Sequence, residues 1–252
     1  MNERQFFQNP DFVAYVRMLH QLHGAIREGW DETDKGEALR DRMDEPWHNF
    51  SGDEVASLSG ISADLDSLSG PPASDIRTIA ADAKADLDSA LEARKTGDFI
   101  GALEILRKHA GRIPAASLAY LRGQIWLEAG EYPIAAEFLQ RASDLEPDNS
   151  NFRYIALHAL GKSDPLKAAD QARAILAESP RNPPELVLKA ADILADQARI
   201  LPSDQTRREL KSLIRPLQDS IFRLETSGEG QVHPDLLIRA DGLIDACRRQ
   251  VG

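Results

Sequence analysis

Ala102, Ala135 and Ala168 recur at one constant interval, and Pro114, Pro147 and Pro180 repeat that interval, each at the same distance behind its alanine. A period of this length marks tandem helix-turn-helix units, in which no unit buries its apolar face alone and each leans on the next. A stacked helical array is therefore expected, and that expectation outranks every local signal.

Composition agrees with it. Charged residues make up 28% of the 252 and aromatics only 6%, whereas strands favour β-branched and aromatic side chains; the expected class is all-α. The formal charge of −11 is uneven, with 14 acids and six bases in residues 1 to 70. Such a field repels phosphate backbones and anionic lipid, so neither nucleic acid nor a membrane surface is expected as a partner. Cys247 is the single cysteine, which excludes an intrachain disulfide framework and suits a reducing compartment. The start MNERQFFQNPDF has no apolar signal region, and no apolar run approaches about 18 residues. A soluble, cytoplasmic protein is expected.

Along the chain, Asn9-Pro10-Asp11 reads as a helix start. The helix it opens carries Phe12, Val16, Leu19, Leu22 and Ile26 as one apolar stripe to about Gly29. A second helix is predicted over Asp34 to Glu45, stopping near Pro46. Ser51-Gly52-Asp53-Glu54 reads as a capping box opening a third, with Val55, Leu58, Ile61, Leu65 and Leu68. The segment from Ala38 to Leu65 resembles a helical stretch at the front of some bacterial repeat proteins and implies no activity. The run Ser67-Leu68-Ser69-Gly70-Pro71-Pro72 is the clearest break. Three parts are expected: an acidic three-helix module (1–70), the repeats (71–182), and lengthened C-terminal helices capping the array (183–252). In the last part Ser203 is expected to cap a helix bearing Leu210, Leu213, Leu217, Ile221 and Leu224, kinked at Pro216. A flexible loop from Thr226 to His233 and a final helix with Leu237, Ala240, Leu243, Ile244 and Cys247 on one face complete it.

The best repeat runs from Ser117 to Asn149. Gly123 and Trp126 stand on its first helix, Gly130-Glu131-Tyr132 forms the turn, and Ala135, Leu139, Ala142 and Leu145 face inward on its second before Pro147. This unit resembles the tetratricopeptide repeat, whose pattern asks for those residue types in those places. The preceding unit keeps Gly97, Phe99, Ala102, Leu106 and Pro114, with Ala90 and Ala93 on its first helix. The following unit keeps Ala168 and Pro180, but Ser163, Pro165 and Ala172 replace the turn glycine, the aromatic and the large apolar residue. The interval between units is one short of the family's usual value of about 34 residues. Small residues at Gly123 and Ala135 are expected to let paired helices approach, with Trp126 and Leu139 filling the space between repeats. The resemblance implies an α-solenoid, a helical array with the N-terminal module in front.

No catalytic constellation stands out. His20 and His23 lie three apart, but zinc needs three or four ligands and no other Cys or His has supporting spacing. Cys247 lies on an apolar stripe and reads as an inert core thiol. The acid pairs Asp31 with Asp34 and Asp64 with Asp66 read as solvated, and Trp30 and Trp47 as packing residues of the module. Phosphate-loop, dinucleotide and hydrolase motifs are absent. No enzyme, cofactor or metal is expected.

In the tetratricopeptide family the first helices of successive repeats line a concave groove for a peptide or a partner helix. Carried over by position, that resemblance points to Lys84, Leu91, Arg94, Lys95, Tyr120, Gln124, Leu127, Arg153 and Leu157 as partner-binding residues. The groove would be mildly basic and would suit an acidic peptide or a C-terminal carboxylate. The paired asparagines of the family's chaperone-binding clamps are missing. The expected function is a non-catalytic protein- or peptide-binding adaptor. The alternatives are a homodimer formed through helices at either end, and a small-molecule-sensing or enzymatic role for the N-terminal module. The opposite charges of module and groove further suggest that the module folds back onto Arg94, Lys95 and Arg153.

Overall fold

Helices alone make up the regular structure of the computed structural model, which describes residues 9–72, 76–200, 204–226 and 234–251; twelve α-helices and no strand lie among them. No helix among the described residues is long and apolar enough to cross a membrane. The chain divides into two units, Met1–Leu145 and Glu146–Gly252. The breaks expected near residues 70 and 182 fall inside them.

In the first unit, α1 (Pro10–Glu28) starts as its sequence predicts: the Asn9 side chain accepts from the Asp11 amide and Pro10 takes the first turn. Gly29 closes the helix at φ 73°, a left-handed conformation that glycine adopts without a Cβ clash. Its buried face is Phe12, Tyr15, Val16, Leu19, His23 and Ala25. The expected stripe drifts off this face at its end, where Ile26 is 52% exposed. Helix α2 (Asp34–Trp47) passes through Pro46 and ends one residue later, Pro46 having no N–H to bond back to the preceding turn. Helix α3 (Gly52–Asp66) has the full capping box, and Asn9 Nδ2 donates to Glu54 Oε1 at 3.0 Å, joining the starts of α1 and α3. An aromatic cluster joins α1 to the residues around the end of α2. Tyr15 meets Phe50 edge-on at 5.3 Å and Trp47 at 5.6 Å.

The rest of this unit is two antiparallel pairs, α4 (Lys84–Lys95) with α5 (Phe99–Lys108) and α6 (Ala115–Glu128) with α7 (Tyr132–Leu145). Gly97 and Gly130 turn each pair at φ 80° and 83°. Gly123 does what its type predicts: a Cβ there would lie 2.5 Å from Leu139 Cγ. Leu139 thus fills the space inside its own pair. Trp126, Ala135 and Leu139 are all fully buried.

The second unit opens with a third pair, α8 (Ser150–Ser163) and α9 (Pro165–Ala177), followed by α10 (Pro184–Ile200), α11 (Asp204–Thr226) and α12 (Pro234–Val251). Helix α9 follows α8 after Asp164 alone, whose side chain accepts from the Lys167 amide. Extending the first helix to Ser163 removes the left-handed residue, which is why this pair lacks a turn glycine. The helices α5, α7 and α9 begin at Phe99, Tyr132 and Pro165, in step with the repeating alanines. Ala102, Ala135 and Ala168 occupy one position on them, each fully buried. Helix α11 runs unbroken through Pro216. Arg223 on α11 donates to the Asn182 and Ser179 carbonyls at 2.9 Å, tying it to the turn before α10. Leu213, Leu217, Leu243, Ile244 and Cys247 share the core with Leu186, Val187 and Ala190. Burial pushes the Cys247 thiol up from its ordinary pKa, which keeps it protonated and inert. The Ser203 cap, the loop after Thr226, and the side chains of Leu224, Leu237 and Ala240 lie outside the described residues.

Candidate functional site

Three of the residues singled out on the first helices form one bonded chain. Arg94 on α4 donates through Nη1 to Gln124 Oε1 at 2.5 Å, and Gln124 Nε2 donates to the Tyr120 hydroxyl at 2.6 Å. The chain crosses from one helix pair to the next, so it ties α4 to α6. Arg94 Nε lies 3.5 Å from Glu128 Oε1. That separation leaves Nε buried with no hydrogen-bond acceptor. Leu91 precedes Arg94 by one turn and Leu127 follows Gln124 by one turn; both are half-buried and extend the same face. Lys84 and Lys95 are exposed, and Lys95 pairs with Glu92 at 3.5 Å.

Two corrections follow. The surface is not simply basic, because Glu92 and Glu128 answer Lys95 and Arg94 on the same helices. Of the two residues named in the second unit, Arg153 is half-buried, but Leu157 is fully buried in the core with Ala168 and Ala172. Leu157 therefore drops out of the candidate surface: its helix turns that side chain inward rather than toward a guest.

A second constellation departs from the sequence expectation. Asp64 on α3, expected to be solvated, is 1% exposed. Arg107 on α5 grips it with Nε at 3.1 Å and Nη2 at 2.8 Å. Arg122 on α6 adds Nη2 at 2.6 Å. Arg122 also donates to Ser67 Oγ at 3.0 Å and lies 6.0 Å from the Phe138 ring centroid. Arg107 crosses α3 over Gly60, where a Cβ would meet its guanidinium at 2.3 Å. Burial pulls the Arg122 pKa down, Asp64 opposes this, and Arg107 adds to it. Removing such charges from water costs several kcal/mol per ion, and only the mutual geometry offsets it. A spacing rule could not have found this triad, since Asp64, Arg107 and Arg122 stand far apart in sequence on three different helices. The one signal was an isolated glycine, Gly60, inside a predicted helix.

Helix α1 docks on α7 with the opposite polarity. Arg17 holds both oxygens of Glu131 at 2.8 and 2.9 Å. Arg27 donates to Glu137 Oε2 at 2.6 Å, with His20 Nε2 3.0 Å from Oε1. Burial pushes the Glu137 carboxyl up, but the His20 and Arg27 contacts bring it net below its ordinary value. His23 faces α3 instead, with Nε2 2.9 Å from Ser62 Oγ and Nδ1 3.2 Å from Asp66 Oδ1. His20 and His23 thus face different helices. Among the described residues no three His, Cys, Asp or Glu side chains converge as a metal site. Trp47 packs at a tilt against Tyr15, and Trp30 donates to Glu28 with the Lys35 ammonium 4.3 Å from its ring centroid.

The module therefore engages the repeats through Arg107, Arg122, Glu131 and Glu137, whereas Arg94 and Lys95 are engaged by side chains of the repeats themselves. This replaces the expected fold-back onto Arg94 and Lys95. Beside the docked module, a cavity of about 30 Å³ between Ser67, Leu68, Arg122, Phe138 and Arg141 admits a water or two and no organic ligand.

The fold defines an all-helical protein of consecutively packed antiparallel helix pairs. Compared with protein-family models and with curated proteins, the sequence matches neither.

Proposed function

We propose that this chain is a non-catalytic scaffold of the tetratricopeptide-like, α-solenoid kind. In this reading it binds an acidic peptide or protein segment on the face formed by its first helices. The observation that carries the reading is the chain Arg94–Gln124–Tyr120. It presents a partly exposed guanidinium, held in place by a neighbouring repeat and flanked by Leu91 and Leu127. A pre-positioned arginine whose side chain keeps 19% of its surface exposed suits a carboxylate, because charge-assisted hydrogen bonds are short and strong. The common register of α5, α7 and α9 supports the repeat assignment. The lone cysteine suits a cytoplasmic setting. No catalysis, cofactor or nucleic acid enters this reading.

An immobilised array of acidic peptides with free C-termini tests it. The full chain binds a subset, and the triple variant Arg94→Ala, Tyr120→Ala, Gln124→Ala loses about tenfold or more in affinity while keeping its helical signal. Equal binding by chain and variant removes the assignment.

A further inference from the structure

Helices α11 and α12 each carry two stripes. On α11 the buried stripe is Leu210, Leu213 and Leu217, and beside it Ile214, Gln218, Ile221 and Phe222 recur at helical spacing. On α12, Leu243, Ile244 and Cys247 are buried, while Ile238, Asp241, Asp245 and Arg248 form the second stripe. The second stripes border a groove of about 470 Å³ between the two helices, lined by Ile221 and Phe222 on one side and Asp241, Ile244, Asp245 and Arg248 on the other. Phe222 is 65% exposed and Ile238 70%, more than any other large apolar side chain among the described residues. The solvated face of a helix pair is ordinarily polar. This one turns out an aromatic ring and an isoleucine.

The charges on the rim favour a second copy of the chain as the occupant. Asp241, Asp245 and Arg248 put both signs on one stripe, with Arg248 already 3.4 Å from Asp245 of its own helix. A face of this kind is complementary to itself. Two copies of α12 laid antiparallel about a two-fold axis near residues 244 and 245 set Arg248 of each against Asp241 of the other. Each guanidinium then lies between one acid of its own chain and one of its mate. An isologous contact requires that reciprocity, and a hairpin against a hairpin gives a four-helix bundle, in which Phe222 and Ile238 are covered.

We propose that the outer face of the α11–α12 hairpin is a homodimer interface, with Phe222 and Ile238 as its apolar contacts and Asp241–Arg248 pairs linking the two copies. It lies apart from the Arg94 network and stands whether or not that network binds peptides.

Light scattering and sedimentation of the full chain, from low to high micromolar concentration, test it. The expected mass rises to twice the 27.8 kDa of one chain. Phe222→Glu and Ile238→Glu each weaken the dimer about tenfold or more, as loss of a central apolar anchor does, with circular dichroism unchanged. Arg248→Asp and Asp241→Arg, each alone, set like charges against each other and yield monomers. Mixing those two variants restores both ion pairs and hence a heterodimer. Four outcomes overturn the proposal: a chain of single mass throughout, a dimer indifferent to the apolar changes, charge variants that stay dimeric alone, or charge variants that stay monomeric when mixed. A monomer whose groove is nonetheless protected from hydrogen exchange marks cover by another segment of the chain, and overturns it too.

Discussion

Asp64 is the side chain whose loss would be felt furthest. Asp64→Ala leaves Arg122, 4% exposed, and the partly exposed Arg107 facing each other without a counter-charge. Breaking a buried pair in this way costs about 3–5 kcal/mol, and solvent at Arg107 places the effect at the low end. All three tryptophans, Trp30, Trp47 and Trp126, lie in the first unit, so their fluorescence follows that unit's unfolding. A urea midpoint unchanged by Asp64→Ala would show that the triad contributes nothing. His23 gives a pH test by the same signal. Burial holds its pKa below the ordinary 6.5, with Asp66 opposing and Arg27 and His20 adding. The folded chain therefore binds that proton less readily than the unfolded one. Stability is steady above 6.5 and declines as pH drops below it toward the folded value. His23→Gln flattens this slope between about pH 7.5 and about pH 5.5; an identical slope in the variant would assign it to other groups. Neither residue was legible in this role. An aspartate two positions before another reads as solvated until residues from two later helices close over it.

Helices were far easier to read, because what starts and ends them is local. The Asn9 cap, the Ser51–Glu54 box and the glycine after α1 all involve neighbours in sequence, and each is formed. The recurring alanines were equally visible, and Ala102, Ala135 and Ala168 are all fully buried near the starts of α5, α7 and α9. Legibility failed where a helix's environment decides. Leu157 stands where the resemblance expected a surface residue yet points into a core, and Ile26 keeps helical spacing yet points out. At this scale two glycines make opposite demands. Gly123→Ala drives a methyl into Leu139 and separates α6 from α7, at about 1–3 kcal/mol. Gly130→Ala strains a backbone at φ 83° and costs about 1 kcal/mol, with open space around it. Ser163→Gly brings no gain, because its turn is made without a left-handed residue. Thermal melts of the three variants check this order; a Gly123→Ala chain as stable as the parent would contradict the close approach.

For the whole molecule, the front module and the helix pairs α4–α5 and α6–α7 belong to one compact unit. The boundary at the Gly-Pro-Pro run is real as a break in helix but not as a break in packing. Deleting residues 1–72 uncovers Arg107 and Arg122 and strips α3 from α5. The truncated chain is expected to lose cooperative unfolding of Trp126 rather than gain affinity for a partner, and a sharp, parent-like transition would restore the independent module. The candidate surface was legible only as a set of positions. Its bonding, with acids interleaved among the cations, appears once α4 and α6 lie side by side.

Glu131 stands at the head of the middle second helix, where its counterparts are Asp98 and Asp164. Those two turn back onto the amides of their own helices, whereas Glu131 gives both oxygens to Arg17. The units are thus not interchangeable bricks. A duplicated α6–α7 pair would bring a second such carboxylate with no guanidinium to receive it, so α1 singles out one helix pair and sets the point from which the others are counted.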